Sequence, residues 1–221
     1  MQKFRKPQKA TVYYRLYNTK NGGISHEHHY RHRPRLLRYQ DSALFISGWT
    51  DKLWRTRTLT KFIPAYEGNY TKDRKAQGGT ISEITIHHCA SILTIDALGA
   101  LWQREGRKGS SHYGVSETSI GQYVHENDVA WTNGNWEANC RAVTIETSNS
   151  AGAPDWPVSD TTFNTLVTLV ADIARRNSLG KLVKGENLTW HSMYAATTCP
   201  GPYLSSKLQK LVDKANEING F

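Results

Sequence analysis

Two β-branched runs, EITIHH at residues 83–88 and AVTIET at residues 142–147, constrain this chain more than any other feature. Runs of this kind suit buried strands, and each is followed by a segment with helical spacing. After the first, Thr94 is placed to cap a helix to about Arg104, with Ala97, Leu98, Leu101 and Trp102 on one face. After the second, a helix from Ser159 or Asp160 carries Phe163, Leu166, Val167, Val170, Ile173 and Ala174 at helical spacing. HYGV and IGQYV read as two strands separated by a turn, and NLTWH as a short strand. A closing helix over 203–218 presents Leu204, Leu208, Leu211, Val212 and Ala215. Strands and helices interleaved in this way predict an α/β fold, a sheet flanked by helices.

The chain before residue 64 reads differently. TVYYRLYN, SALFISGW and LWRTRTLTKFI are β-like, and the polar, glycine-ended stretch from Pro64 to Thr80 reads as a connector. The expected division is therefore a basic N-terminal segment, 1–63, and an α/β domain, 64–221. Charge supports it: residues 1–63 hold 14 Lys and Arg against 3 Asp and Glu, a net of +11, whereas the remainder holds 14 against 16, a net of −2. An anionic partner is expected to dock on the first segment. That segment has no recognisable nucleic-acid-binding motif, so nucleic acid is not the expected partner. Its histidines (His26, His28, His29 and His32) read first as a basic, pH-sensitive surface and second as an adventitious metal site. No run of 18 apolar residues predicts a membrane span, and the N-terminus lacks the apolar core of a secretory signal. Three cysteines in no framework spacing fit a reducing compartment.

LTWHSMYAATTCPGP (188–202) sets His191 and Cys199 eight residues apart. Imidazole nitrogen and thiolate sulfur are ligands that zinc prefers, and a third must come from elsewhere in the chain. The strand in ITIHHCA offers His87 and His88 at its end. Side chains alternate along a strand, so only one of the two faces a given site.

Taken in order, ITIHHCA, SSHYGV, YVHENDVAWTNG, NCRAVTIETSN and HSMYAATTCPGP resemble the motifs of the zinc-dependent N-acetylmuramoyl-L-alanine amidases, the group shared by phage endolysins, bacterial amidases and peptidoglycan-recognition proteins. The resemblance covers about residues 66–217. It implies a mixed central sheet flanked by helices and one zinc ion held by His87, His191 and Cys199. Three protein ligands leave a fourth position for water or substrate, as catalytic zinc sites do. Glu146 falls on the catalytic glutamate of several bacterial relatives. The chain departs from the pattern at Ser111, where some phage relatives carry Tyr, at Thr132, where His is usual, and at Thr197, where many carry Lys. Relatives active as amidases also carry Thr there, which implies that Thr197 orients water or donates to the oxyanion. His112 is then either the remaining imidazole near substrate or a core histidine on its strand, and Trp131, Asn133 and Trp136 either line a sugar or peptide groove or stand as exposed loop residues.

The implied activity is hydrolysis of the amide between N-acetylmuramic acid and L-alanine in peptidoglycan, by a phage or prophage endolysin held in the host cytoplasm until the membrane opens. Residues 1–63 would hold it on an anionic wall polymer. The alternatives are a non-catalytic peptidoglycan receptor on the same fold, against which the retained Cys199 argues, and a cytoplasmic wall-recycling amidase.

Overall fold

The computed structural model describes residues 60–221. Its strands and helices are β1 (Thr60–Phe62), β2 (Tyr70–Thr71), β3 (Glu83–His88), α1 (Ile95–Trp102), β4 (Tyr113–Ser116), β5 (Ser119–Gln122), β6 (Val129–Ala130), α2 (Trp136–Arg141), β7 (Ala142–Thr147), α3 (Asp160–Arg176), β8 (Leu188–Trp190) and α4 (Gly201–Asn219). Six strands form one sheet in the order β1-β5-β4-β7-β3-β8, and β2 pairs with β6 in a second, small sheet. In the main sheet only the β4–β5 hairpin is antiparallel. The sheet is thus mixed, as expected.

The two β-branched runs are its centre. β3 and β7 pair in parallel from Glu83 beside Ala142 to His88 beside Thr147. Alternation sends Ile84, Ile86, Val143 and Ile145 into the main core, where they meet Leu166, Leu169 and Val170 of α3 and Leu204, Leu208 and Leu211 of α4. Burying each such side chain contributes about 1.5–3 kcal/mol. On the other face α1 lays Leu98 and Trp102 against Tyr123 and Ile63. The helices start where capping residues allow: Thr94 Oγ1 accepts from the Ala97 N–H, and Ser159 Oγ from the Thr162 N–H.

Two expectations change. β1 pairs in parallel with β5, Thr60 beside Ile120, so the folded unit extends to the N-terminal side of the boundary expected near residue 64. The other β-like runs of the basic segment lie outside the described residues. The supposed connector is also packed, because it carries Arg74, only 4% exposed. The Arg74 guanidinium donates to the carbonyls of Glu126, Asn139, Cys140, Asp128 and Ala142 at 2.8–3.0 Å, tying the 126–128 loop, the end of α2 and the start of β7 to one side chain.

Candidate metal centre

The strand phase that sends Ile84 and Ile86 into the core turns Thr85 and His87 to the opposite face of β3. Glu146, beside His87 in the ladder, turns the same way on β7. β8 ends at Trp190, and His191 opens a short 3-10 turn directly after it. Cys199 returns from the following loop, with its Sγ accepting from the His88 N–H at 3.4 Å. His87, His191 and Cys199 converge, each with a donor atom within 4.8 Å of the others. His87 Nδ1 lies 3.7 Å from Cys199 Sγ, and the His87 and His191 ring centroids are 4.5 Å apart. His88 points to the other face, where its ring meets Trp156 edge-on. The choice between the two histidines is settled by strand phase.

Gly201 explains the Pro-Gly that follows Cys199. Its φ is +81°, and a Cβ there would lie 2.8 Å from the His88 ring. Any larger residue would push the start of α4 away from β3, and Cys199 with it.

The donor set fits zinc. Tetrahedral bonds of 2.3 Å to sulfur and 2.0–2.1 Å to nitrogen separate the two donors by roughly 3.5 Å, close to the spacing found. Burial, then the neighbouring His191, pushes His87 down to about 3, and burial lowers His191 as well. Both imidazoles are therefore neutral, with lone pairs available. Burial, then the nearby Glu146 carboxylate, pushes the Cys199 thiol well above its ordinary range, against which the His88 N–H acts weakly. A thiol in that setting becomes a thiolate when a cation binds it.

The tautomer of His87 is set by Asn133. Asn133 Oδ1 accepts from His87 Nε2 at 3.0 Å, which leaves Nδ1 unprotonated and facing Cys199. Asn139 Oδ1 in turn accepts from the backbone N–H groups of Asn133 and Thr132. Asn133, fully buried, therefore orients a ligand and does not line a groove: its side chain is committed between β3 and the 131–135 loop. Gly134 follows at φ +63°, where a Cβ would lie 4.0 Å from His191 Nε2.

Of the two readings of His112, the structure shows the core histidine. It is fully buried, with Nδ1 3.1 Å from the Thr144 N–H and Nε2 between the Arg74 guanidinium at 2.8 Å and the Asp128 carbonyl at 3.2 Å. Burial, then the Arg74 charge, pushes it down to about 3. It is a neutral imidazole of the core. Trp131 is half-buried, its indole N–H donating to Thr71 Oγ1 at 2.9 Å, which anchors it to the small sheet. Thr132 stands where the family's histidine is usual, and its hydroxyl joins Thr144 and the Ser110 carbonyl. Thr197 is exposed, and its Oγ1 accepts from the Cys199 N–H at 3.2 Å.

Glu146 is nine-tenths buried, with Oε2 lacking any hydrogen-bond partner. Burial raises it to about 8, opposed by the charge of Arg107 and by a hydrogen bond from the Cys89 thiol. An under-solvated carboxylate beside a cluster of metal donors is equipped to accept a proton near neutral pH. Asn139, Cys89 and Arg107 were not singled out by sequence. Only proximity in the fold marks them.

A family model described as N-acetylmuramoyl-L-alanine amidase matches residues 77–202. No curated protein matches the chain. Among solved structures, that of PlyL is similar with a TM-score of 0.55 at 17% identity, covering 71% of this chain and 94% of its own. The endolysin amidase LysCS from Clostridium intestinale URNW gives 0.52 at 16% identity, covering 69% and 95%. The Staphylococcus aureus hydrolase AmiA, in complex with its ligand, gives 0.58 at 16% identity, covering 82% and 95%. At these identities the likeness is one of fold.

Proposed function

The chain belongs to the N-acetylmuramoyl-L-alanine amidase family, and from that premise we propose that it hydrolyses its substrate with zinc held by His87, His191 and Cys199. Its substrate is peptidoglycan, and the bond cut joins N-acetylmuramic acid to L-alanine. The observation that carries the zinc reading is the convergence of two neutral imidazoles and a buried thiol on one point, beside a buried carboxylate. When bound there, zinc supplies acidification of a water and polarisation of a carbonyl.

The chain's own residues do the rest. Asn133 keeps the His87 proton on Nε2. Glu146 takes a proton from the attacking water and delivers it to the departing nitrogen, so that the lactyl carboxyl and the free alanine amine are the products. The Thr197 hydroxyl, two residues from the Cys199 ligand, donates to the carbonyl oxygen as negative charge builds on it. The fold shared with a LysCS described as an endolysin supports placing this chain among phage endolysins, retained in the host cytoplasm until lysis.

Purified peptidoglycan digested with the full chain should release peptides with a free N-terminal alanine, read by mass spectrometry. A chelator should stop the release and zinc should restore it. Release that persists in chelator would remove the metal from the reaction. In the Glu146→Gln protein zinc stoichiometry should stay at one ion while kcat falls by about 100-fold or more, in line with loss of a general base. For localisation, a tagged chain found outside the host cytoplasm before lysis would contradict the endolysin reading.

A further inference from the structure

The polar face of β3 does more than present His87. Glu83, Thr85 and His87 alternate onto that face, and each is bonded to a loop or strand that builds the metal centre. His87 Nε2 donates to Asn133 Oδ1. Thr85 Oγ1 lies 3.0 Å from Thr189 Oγ1, its ladder neighbour on β8, and accepts from Asn133 Nδ2 at 3.4 Å. Glu83 Oε1 accepts from the Tyr194 hydroxyl at 3.0 Å. The last bond is the outlying one. Glu83 opens β3, about 13 Å along the strand from His87, whereas Tyr194 lies just beyond the turn that the ligand His191 opens.

The segment 192–198 joins two of the three metal donors. Its residues are exposed apart from Tyr194 and Ala195, which are half-buried. The Ser192 N–H donates to the Cys199 carbonyl at 3.1 Å and closes the loop at its ends, while Thr197 Oγ1 serves the Cys199 N–H beside it. Among the described residues, Tyr194 has the one side chain of the segment that hydrogen-bonds to the body of the domain. Its anchor is set to hold. Glu83 is 5% exposed, and Arg141 Nε stands 3.6 Å from its other carboxylate oxygen. A buried carboxylate is costly unless it is bonded, so Glu83 favours keeping the hydroxyl. Burial raises that hydroxyl above its ordinary value, and it stays a donor at neutral pH.

We propose that Tyr194 is a positioning residue for the metal centre: its hydrogen bond to Glu83 clasps the 192–198 loop to the sheet and so fixes Cys199 and Thr197 relative to His87 before any metal binds. That role rests on the zinc amidase reading for what the loop serves, and on the clasp itself for how the loop is held. A centre assembled in only a fraction of molecules binds its metal more weakly by that fraction. Releasing the clasp therefore acts on zinc affinity. A bond that merely added stability would lower the unfolding midpoint and leave the affinity alone.

Tyr194→Phe removes the hydroxyl and keeps the ring. In the full chain it should bind zinc about tenfold more weakly in a competitive chelator titration, as expected where the assembled fraction falls to about one in ten. In the metal-free protein, hydrogen exchange should quicken over 192–199 and stay as it was in β3 and β7. With zinc saturating, kcat should fall about tenfold and KM should hold, because Thr197 loses its place toward the reacting carbonyl. Glu83→Gln keeps an acceptor for the hydroxyl and should stay within about twofold of the native affinity. Glu83→Leu should match Tyr194→Phe, and the double variant should be no worse than either. Native zinc affinity and native exchange in Tyr194→Phe, whatever its unfolding midpoint, overturn the clasp. So does a loss in Glu83→Gln as large as that in Glu83→Leu, which would assign the effect to charge. Should the native protein release no peptide while Tyr194→Phe still binds zinc more weakly by about that factor, the amidase reading fails and the clasp stands. Should the native protein release peptides while the two proteins bind zinc and exchange alike, the clasp fails and the amidase stands.

Discussion

At the scale of single residues, the site is organised by buried side chains behind the metal donors. Asn133 holds the proton of His87 on Nε2 and so presents Nδ1 to the Cys199 sulfur. Partners of this kind typically change metal affinity by 10–100-fold. Asn133→Ala should therefore weaken zinc binding by about that factor in a competitive chelator titration, with the far-ultraviolet circular dichroism spectrum unchanged. An unaltered affinity would mean that strand packing alone orients the ring. His112 makes a different prediction, about pH. Its folded value is pushed down to about 3 against an ordinary 6.5, so the unfolded chain binds the extra proton between those limits. Stability from this group is then fully present above about 6.5 and is lost as pH falls toward 3, at about 1.4 kcal/mol per unit within the window. Between pH 7 and pH 5 the native protein should lose about 2 kcal/mol more than His112→Gln does, measured by urea unfolding with zinc withheld from both. The convergence of His87, His191 and Cys199 was legible in the sequence because spacing, strand phase and the family motifs agreed on it, and so was the place of Glu146 beside His87. The roles of Asn133 and His112 were not. What decides them is a hydrogen bond across 46 residues in one case and a guanidinium on a distant loop in the other, and neither leaves a local pattern.

At the scale of elements, legibility follows length. β3 and β7, six residues each, and α3, with seventeen, are long enough for a period to repeat, and the limits of both strands and the start of α3 agree with those read from sequence. α2 has six residues, too few for a second helical turn to register as a pattern, and its sign is the Asn135 side chain accepting from the Ala138 N–H. β1, β2 and β6 have two or three residues each and exist because a neighbouring strand edge is available to pair with. The caps are testable by themselves. Ser159 Oγ satisfies the Thr162 N–H at the head of α3, whose apolar side forms much of the main core. Ser159→Ala should cost about 1 kcal/mol, visible as a lowered urea midpoint with an unchanged slope. Zinc affinity should not move, because α3 covers the sheet face opposite His87. A coupled loss of zinc would show that the two faces of the sheet are not independent.

At the scale of the whole molecule, the charge is divided: +11 over residues 1–63 and −2 over the rest. The folded amidase unit thus has little attraction for an anionic wall, and we propose that the basic segment supplies it. The boundary between the two matters for any test, because β1 covers the edge of β5. A chain beginning at residue 64 would lose β1 and leave β5 as an unpaired edge, which invites aggregation. Its poor performance would say nothing about targeting. A chain beginning at residue 56 keeps β1 and discards most of the basic side chains. That shorter chain should match the full one on soluble muropeptides, and fall behind on intact walls at low ionic strength. The gap should close as salt rises toward about 0.5 M, because exposed charges separated by more than a Debye length are then screened. Equal rates on intact walls at low salt would sink the targeting role. A gap that salt does not close would instead point to contacts made by the segment's aromatic and β-branched residues, with its charge left as a solubilising surface.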